Sequence, residues 1–181
     1  PEDPLALGFS DSFLSKGIPV VGPTKLLAQI ETSKGFTRDL LVRNEIYVSP
    51  RYERFNSING VGDFIMDLSN EYVVKYDGLM GGKGVKVSGE HLMSTQEAIY
   101  YCNQLIELGG SFIVEEKLLG EEFSLMSFCD GKTVLHMPAV QDHKRAYDGD
   151  VGPNTGGMGC YTDSNHSLPF LTDNELNQAR E

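Results

Sequence analysis

Tyr72-Val73-Val74-Lys75-Tyr76-Asp77-Gly78-Leu79-Met80-Gly81-Gly82-Lys83-Gly84-Val85-Lys86-Val87 reads as a strand, a glycine loop and a second strand. Apolar residues before Gly78 alternate with period two, and Val85 with Val87 keeps that period after Gly84. Glycines beside lysines suggest a phosphate loop, yet the two commonest kinds run from strand into helix, where the helix N-terminus holds the anion. No helical period follows Gly84. The letters differ as well. A Walker loop through Gly82-Lys83 requires glycine in place of Asp77 and a hydroxyl in place of Gly84, and a dinucleotide fingerprint from Gly82-x-Gly84 requires glycine in place of Val87. Lys75 falls on the opposite side of the pleat from Tyr72, Val74 and Tyr76. By itself it is equally a solvent-facing lysine on an edge strand. The loop that follows favours a nucleotide phosphate site, because Gly81, Gly82 and Gly84 let the backbone approach an anion while Lys83 adds a point charge. A hairpin tip that binds nothing has the same composition.

The 181 residues suffice for one or two domains, and 40% hydrophobic content is enough for a core. A net charge of -11, from 15 basic and 26 acidic side chains, repels nucleic acid and anionic membrane surfaces, so an anionic small ligand needs local lysines. No apolar run approaches the roughly 20 residues of a membrane span, and no basic segment followed by an apolar stretch marks a signal peptide. The chain reads as soluble and cytoplasmic. Cys102, Cys129 and Cys160 are an odd number at no metal spacing and read as buried, reduced thiols.

Working outward, Asp3-Pro4 suits a helix start, and Leu5, Phe9 and Phe13 continue that helix to Gly17. Residues 18–23 read as a short buried strand. Thr24 and Thr32-Ser33 can each cap a helix, the second carrying Phe36, Leu40 and Leu41 until Asn44. Phe64, Ile65 and Leu68 allow a short helix within 56–70. Ser94-x-x-Glu97 is a capping box, and Ala98, Tyr101, Leu105 and Leu108 make the clearest helix of the chain. Phe112-Ile113-Val114 is a strand, and 123–129 and 134–140 read as antiparallel strands joined by a turn at Asp130-Gly131. This order gives an α+β module with an antiparallel sheet and a helix on one face. Residues 141–162 keep no period and read as a long structureless loop, which is either functional or disordered.

Two further segments can carry chemistry. Glu115-Glu116-Lys117-Leu118-Leu119-Gly120-Glu121-Glu122 sets four carboxylates around an apolar pair, usually a solvated turn. Its backbone amides and a carboxylate also suit an adenine edge and a ribose hydroxyl. In the segment 141–159, which opens Gln141-Asp142-His143-Lys144-Arg145, both signs of charge lie close to a glycine-rich turn. Lys144, Arg145 and the amides around Gly156-Gly157 can supply donors for a carboxylate or phosphoryl oxygen. No histidine has metal-ligand spacing with another histidine or with a cysteine.

These residues resemble the phosphoribosylamine-glycine ligases of purine biosynthesis, within the ATP-grasp superfamily. The resemblance rests on Pro1-Glu2-Asp3-Pro4-Leu5, Gly22-Pro23-Thr24, Ser33-Lys34-x-Phe36, Val73-Val74-Lys75-x-Asp77-Gly78-Leu79, Gly82-Lys83-Gly84-Val85, Gly120-Glu121-Glu122 and the whole run 141–159. It covers almost the entire chain, with 44–71 the poorest part and Tyr76, Met80 and Gly81 replacing residues more usual in bacterial members. It implies ATP-grasp-type antiparallel sheets with flanking helices, and ATP between two of the sheets. Lys34 and Lys75 would reach the phosphates, and the loop through Gly78, Gly81, Gly82, Lys83 and Gly84 would act as a lid. Glu115, Glu116 and Leu118 would line the adenine, and Glu122 would bind ribose. Asp142, Lys144, Arg145, Asn154, Gly156, Gly157 and Met158 would face the transferred phosphoryl group and the substrates, glycine and 5-phosphoribosylamine. Another carboxylate-amine ligase of the superfamily, or a nucleotide-binding module without catalysis, are the competing readings.

On the same resemblance, residues 1–30 are the end of an N-terminal α/β domain, 31–70 linker helices, 71–120 the lid subdomain, and 121–181 the incomplete start of a second ATP-grasp subdomain. The magnesium or manganese ligands of the family are expected beyond Glu181, so none is assigned here. The 181-residue chain alone is therefore expected to lack ligase activity. Robust formation of glycinamide ribonucleotide by the purified chain would overturn that expectation.

Overall fold

Tyr72–Tyr76 (β2) and Phe112–Glu116 (β4) lie side by side at the centre of a four-stranded antiparallel sheet, with Tyr52–Phe55 (β1) beyond β4 and Val85–Val87 (β3) beyond β2. This is a computed structural model, and it describes residues 2–81, 83–149 and 151–181. The central position of β4 explains its apolar run, since Phe112, Ile113 and Val114 are each wholly buried. Tyr72, Val74, Phe112 and Val114 point to one face, where Val61 and Ile65 of α5 (Val61–Asp67) and Ala98, Cys102 and Leu105 of α6 (Thr95–Glu107) close the core. Sequence reading misses β1 because only Phe55 of its four residues is buried, which leaves no visible alternation.

Helix starts follow local hydrogen-bond chemistry. Ser94 Oγ accepts from Glu97 N, and the Glu97 carboxylate accepts from Met93 N at 2.7 Å, one residue before the partner of a strict capping box. Helix α4 (Lys34–Arg43) follows α3 (Gln29–Thr32) and is capped by Ser33, whose Oγ accepts from Phe36 N.

Two N-terminal expectations are corrected. The single helix to Gly17 is two pieces, α1 (Glu2–Ala6) and α2 (Phe9–Leu14), because Gly8 adopts a left-handed conformation with φ 90°. Asp3 lies inside α1 and does not cap it. Residues 18–23 form no strand, since no described segment pairs with them, and Val21 is 96% exposed.

Leu118 ends one compact unit and Leu119 begins another. In the second unit Ser127–Cys129 (β5) pairs with Val134–His136 (β6), shorter than expected, with Ser124 and Val140 bridging beyond them. The turn between them is held by Asp130 Oδ1, which accepts from Lys132 N and Thr133 N at 2.9 and 2.8 Å. The loop expected over 141–162 is instead a two-stranded ribbon, Gln141–Tyr147 (β7) against Val151–Tyr161 (β8). Periodicity cannot reveal it, because β8 is exposed along almost its whole length and the pairing is made by backbone. Register shifts near His143 and Arg145 break it further. A small core of Ala139, Leu168 and Leu176 includes the helix α7 (Asp173–Arg180), which Thr172 and Glu175 cap reciprocally.

The cysteine reading also needs correcting. Cys102 is wholly buried in α6, where burial pushes its thiol up to about 12, but Cys129 and Cys160 are exposed. Each of those two sits on a two-stranded ribbon, in a strand exposed along all or nearly all of its length. An aromatic disulfide reagent should accordingly titrate two thiols in the native protein and the third only after denaturation. Release of all three at one rate without denaturant would contradict this packing.

Candidate functional site

The face of the sheet opposite α5 and α6 carries Val73 and Lys75 from β2 and Ile113 and Glu115 from β4. Antiparallel register sets Lys75 opposite Ile113 and Val73 opposite Glu115, so Lys75 and Glu115 are diagonal neighbours. Helix α4 lies over them with Lys34 and Arg38 one turn apart on the same side. Lys34, Arg38, Lys75, Ile113 and Glu115 line, with Glu31, a cavity of about 250 Å³.

Glu115 is 3% exposed, and a carboxylate removed from water needs paired partners. Arg38 supplies Nη2 at 2.9 Å and Nε at 3.3 Å to one oxygen, while Lys75 Nζ pairs with the other. Arg38 also donates to Ser49 Oγ at 3.2 Å. Lys34 Nζ donates to the Gly78 carbonyl at 3.2 Å. Burial holds the Lys34 amine below the ordinary lysine range, and Lys75 pushes it the same way; Asp77, Glu31 and Glu115 oppose them. The cavity thus gathers three cations from a helix and a strand around one buried carboxylate. An anion entering it meets charges already held in place.

The glycine loop has a different steric logic from the one its composition suggests. Tyr76 N donates to Gly84 O at 2.8 Å and closes the base of the loop, and Lys83 N donates to Met80 O at 3.0 Å within it. A Cβ on Gly78 would lie 2.5 Å from the Tyr76 ring, one on Gly84 2.9 Å from Tyr76 Cβ, and one on Gly110 2.1 Å from the ring. These three glycines make room for Tyr76. Gly81, by contrast, is needed for its backbone, with φ 54°. Lys83 is exposed, and Gly82 lies outside the described residues.

Of the residues expected at an adenine, Glu115 commits its carboxylate to Lys75 and Arg38, Glu116 accepts from Arg51 N at 3.3 Å, and Leu118 is exposed. In the second unit, Lys144 Nζ pairs with Glu122 and lies 3.6 Å from Asp142. The hydrogen bond to Glu122 is the main cause of a raised Lys144 pKa. Arg145 Nη1 donates to the Gly152 carbonyl at 2.8 Å, and Arg145 stands opposite Asn154 in the ribbon. Gly157 N donates to Thr155 Oγ1, a Cβ on Gly156 would meet nothing within 4 Å, and Met158 is 61% exposed. The structure therefore brings Lys34, Lys75, Gly78 and Glu115 together in the first unit, and Glu122, Asp142 and Lys144 together in the second. Sequence reading missed Arg38 and Asp77; the four-residue step from Lys34 to Arg38 was the available signal for the first.

Residues 32–181 match the family model described as "Phosphoribosylglycinamide synthetase, ATP-grasp (A) domain". Among curated proteins, the chain is 50% identical over 188 residues to the phosphoribosylamine–glycine ligase of Methanococcus vannielii and 48% identical over 181 residues to that of Methanosarcina barkeri. All of this chain is covered in both, but only 42% and 41% of those proteins, so it spans about two fifths of their length. Among solved structures, the phosphoribosylamine–glycine ligase of Thermotoga maritima superposes with TM-score 0.70 at 35% identity, over 83% of this chain and 39% of that one. A D-alanine–D-alanine ligase of Bacillus anthracis complexed with ATP shares the fold, with TM-score 0.58 at 22% identity over 78% of this chain and 45% of its own. With the cation cavity, the antiparallel sheets and a family match over residues 32–181 in agreement, the chain belongs to the phosphoribosylglycinamide synthetase ATP-grasp domain family.

Proposed function

We propose that the protein carrying this chain joins glycine to 5-phosphoribosylamine with ATP, giving glycinamide ribonucleotide, ADP and phosphate. The observation that carries the reading is the convergence of Lys34, Arg38 and Lys75 on one cavity, with Glu115 buried among them. ATP would supply a phosphoryl group to the glycine carboxylate, and the amine of 5-phosphoribosylamine would displace phosphate from the resulting glycyl phosphate. Such chemistry asks a protein mainly for positioning and charge neutralisation. Lys34 and Lys75 would bind the phosphates as point charges. Arg38, chelating Glu115 from α4, would keep that carboxylate from drawing Lys75 fully away from the ligand.

The segment Glu115 to Leu118 would offer backbone amides and an apolar side chain for a base, and Glu122 a carboxylate for ribose. Asp142, Lys144, Arg145 and the turn through Asn154, Gly156, Gly157 and Met158 would contact the substrates. The Glu122–Lys144 pair means that ribose binding would share the Glu122 carboxylate with a cation. The family reading includes a divalent cation, magnesium or manganese. Among the described residues no three His, Cys, Asp or Glu side chains gather to hold one, so no step is assigned to it through this chain. Among the described residues no helix is long and apolar enough to cross a membrane, and the small polar substrates fit a cytoplasmic enzyme.

Calorimetric titration with magnesium-ATP tests the phosphate assignment. Lys75→Met and Lys34→Met should each weaken binding by about tenfold or more, since a charge-assisted contact contributes roughly 1.5–3 kcal/mol. Wild-type affinity in both variants would remove the assignment. For the whole reaction, the intact protein should release phosphate only when glycine and 5-phosphoribosylamine are both present. Preference for a different carboxylate or amine would move it to another ligase of the superfamily.

A further inference from the structure

We propose that Asp77 is a positioning residue for the phosphate lysines, its buried carboxylate locking the start of the helix that carries Lys34 onto the end of the strand that carries Lys75. The inference rests on the reading of Lys34 and Lys75 as phosphate ligands.

The Asp77 side chain is 1% exposed and joins four segments. Its Oδ1 accepts from Ser33 Oγ at 2.9 Å and from Gly35 N at 3.0 Å. Its Oδ2 pairs with Arg54 Nη2 at 2.9 Å and accepts from Ser111 Oγ at 3.4 Å, while Asp77 N donates to the Ser111 carbonyl at 2.9 Å. Ser33 is already the cap of α4, so Asp77 adds a second cap from a distant strand end, placing negative charge where the helix dipole favours it. Lys34 sits between the two residues that Asp77 holds. Its Nζ then reaches back to Gly78 O, the residue after Asp77, and closes a small ring of contacts.

The approach is close enough to depend on glycine. A Cβ on Gly35 would lie 2.8 Å from Asp77 Oδ2 and 2.9 Å from Arg54 Cδ. A carboxylate serving only to join the sheet would not need to reach the helix that bears a ligand lysine. Its charge also acts on that lysine. Of the charged groups facing Lys34, Asp77 raises its pKa most, Glu31 of α3 and Glu115 of β4 act in the same direction, and Lys75 of β2 acts against them. Removing the Asp77 charge makes Lys34 lose its proton at lower pH, and a neutral amine holds phosphate poorly. Arg54, 46% exposed, partly neutralises Asp77, so removing Arg54 acts the opposite way.

The test is magnesium-ATP titration of the intact protein from about pH 7 to about pH 10, a range that reaches the lysine region, with circular dichroism to verify folding. Asp77→Asn should weaken ATP binding about tenfold at neutral pH and move the alkaline loss of binding to lower pH. Arg54→Gln, a change at a half-exposed side chain, should move that loss to higher pH. Gly35→Ala should weaken binding with the charge intact and displace the alkaline limb less. If Asp77→Asn binds within twofold of wild type with an unmoved alkaline limb, while Lys34→Met loses binding, the positioning role is overturned and the phosphate reading stands. If Lys34→Met binds as wild type does, the phosphate role of Lys34 falls and the positioning inference falls with it, whereas the phosphate reading as a whole falls only if Lys75→Met also binds as wild type. Should Asp77→Asn fail to fold, Arg54→Gln decides, and an unmoved or lowered alkaline limb in that variant overturns the inference.

Discussion

The antiparallel pairing of β2 with β4 is the constraint on which the first unit depends. Its register decides two things at once. Tyr72, Val74, Phe112 and Val114 fall on one face and meet α5 and α6, which gives the core. Val73, Lys75, Ile113 and Glu115 fall on the other, so the polar pair is forced into the same small region. A slip of one residue in either strand would send an apolar side chain to the cavity and a charge into the core. Core and site are therefore two faces of one set of backbone hydrogen bonds.

Burying Glu115 would be costly if it stood alone, and the fold meets that cost with cations from two directions, Lys75 from its own sheet and Arg38 from α4. Asp77 shows the same arrangement, held by Arg54, two serine hydroxyls and a backbone amide. Each carboxylate ties α4 to the sheet while leaving lysine charge beside the cavity. Stability and charge placement here are one physical arrangement, because Glu115 pairs with Lys75 and Asp77 holds the two residues that flank Lys34.

The glycine loop shows how one composition can serve two ends. Gly81 answers to backbone conformation, whereas Gly78, Gly84 and Gly110 answer to the Tyr76 ring packed against them. Tyr76 sits at the end of a strand whose even-numbered residues face the core, so the ring that fills this space belongs to the packing of β2. The loop is shaped by the Tyr76 ring as much as by anything it could hold.

Much of this was legible in the chain itself. The period-two runs around 72–76 and 85–87, the serine cap before α4 and the capping signature before α6 are local signals, and local chemistry dictates them wherever the chain goes. The two lysines at 34 and 75 were likewise visible, one at a helix start and one alone in an apolar strand. What only tertiary structure decided was everything that depends on a partner far along the chain. Residues 18–23 have strand composition but nothing among the described residues to pair with, and 141–161 lack it yet pair through the backbone. Glu115, 77 residues from Arg38, became a buried counterion because β-pairing and helix docking brought those charges together. Sequence determines which segments can become strand or helix, since those preferences are local. Which charges end up sharing a cavity is set by register and packing, which join residues that no local pattern relates.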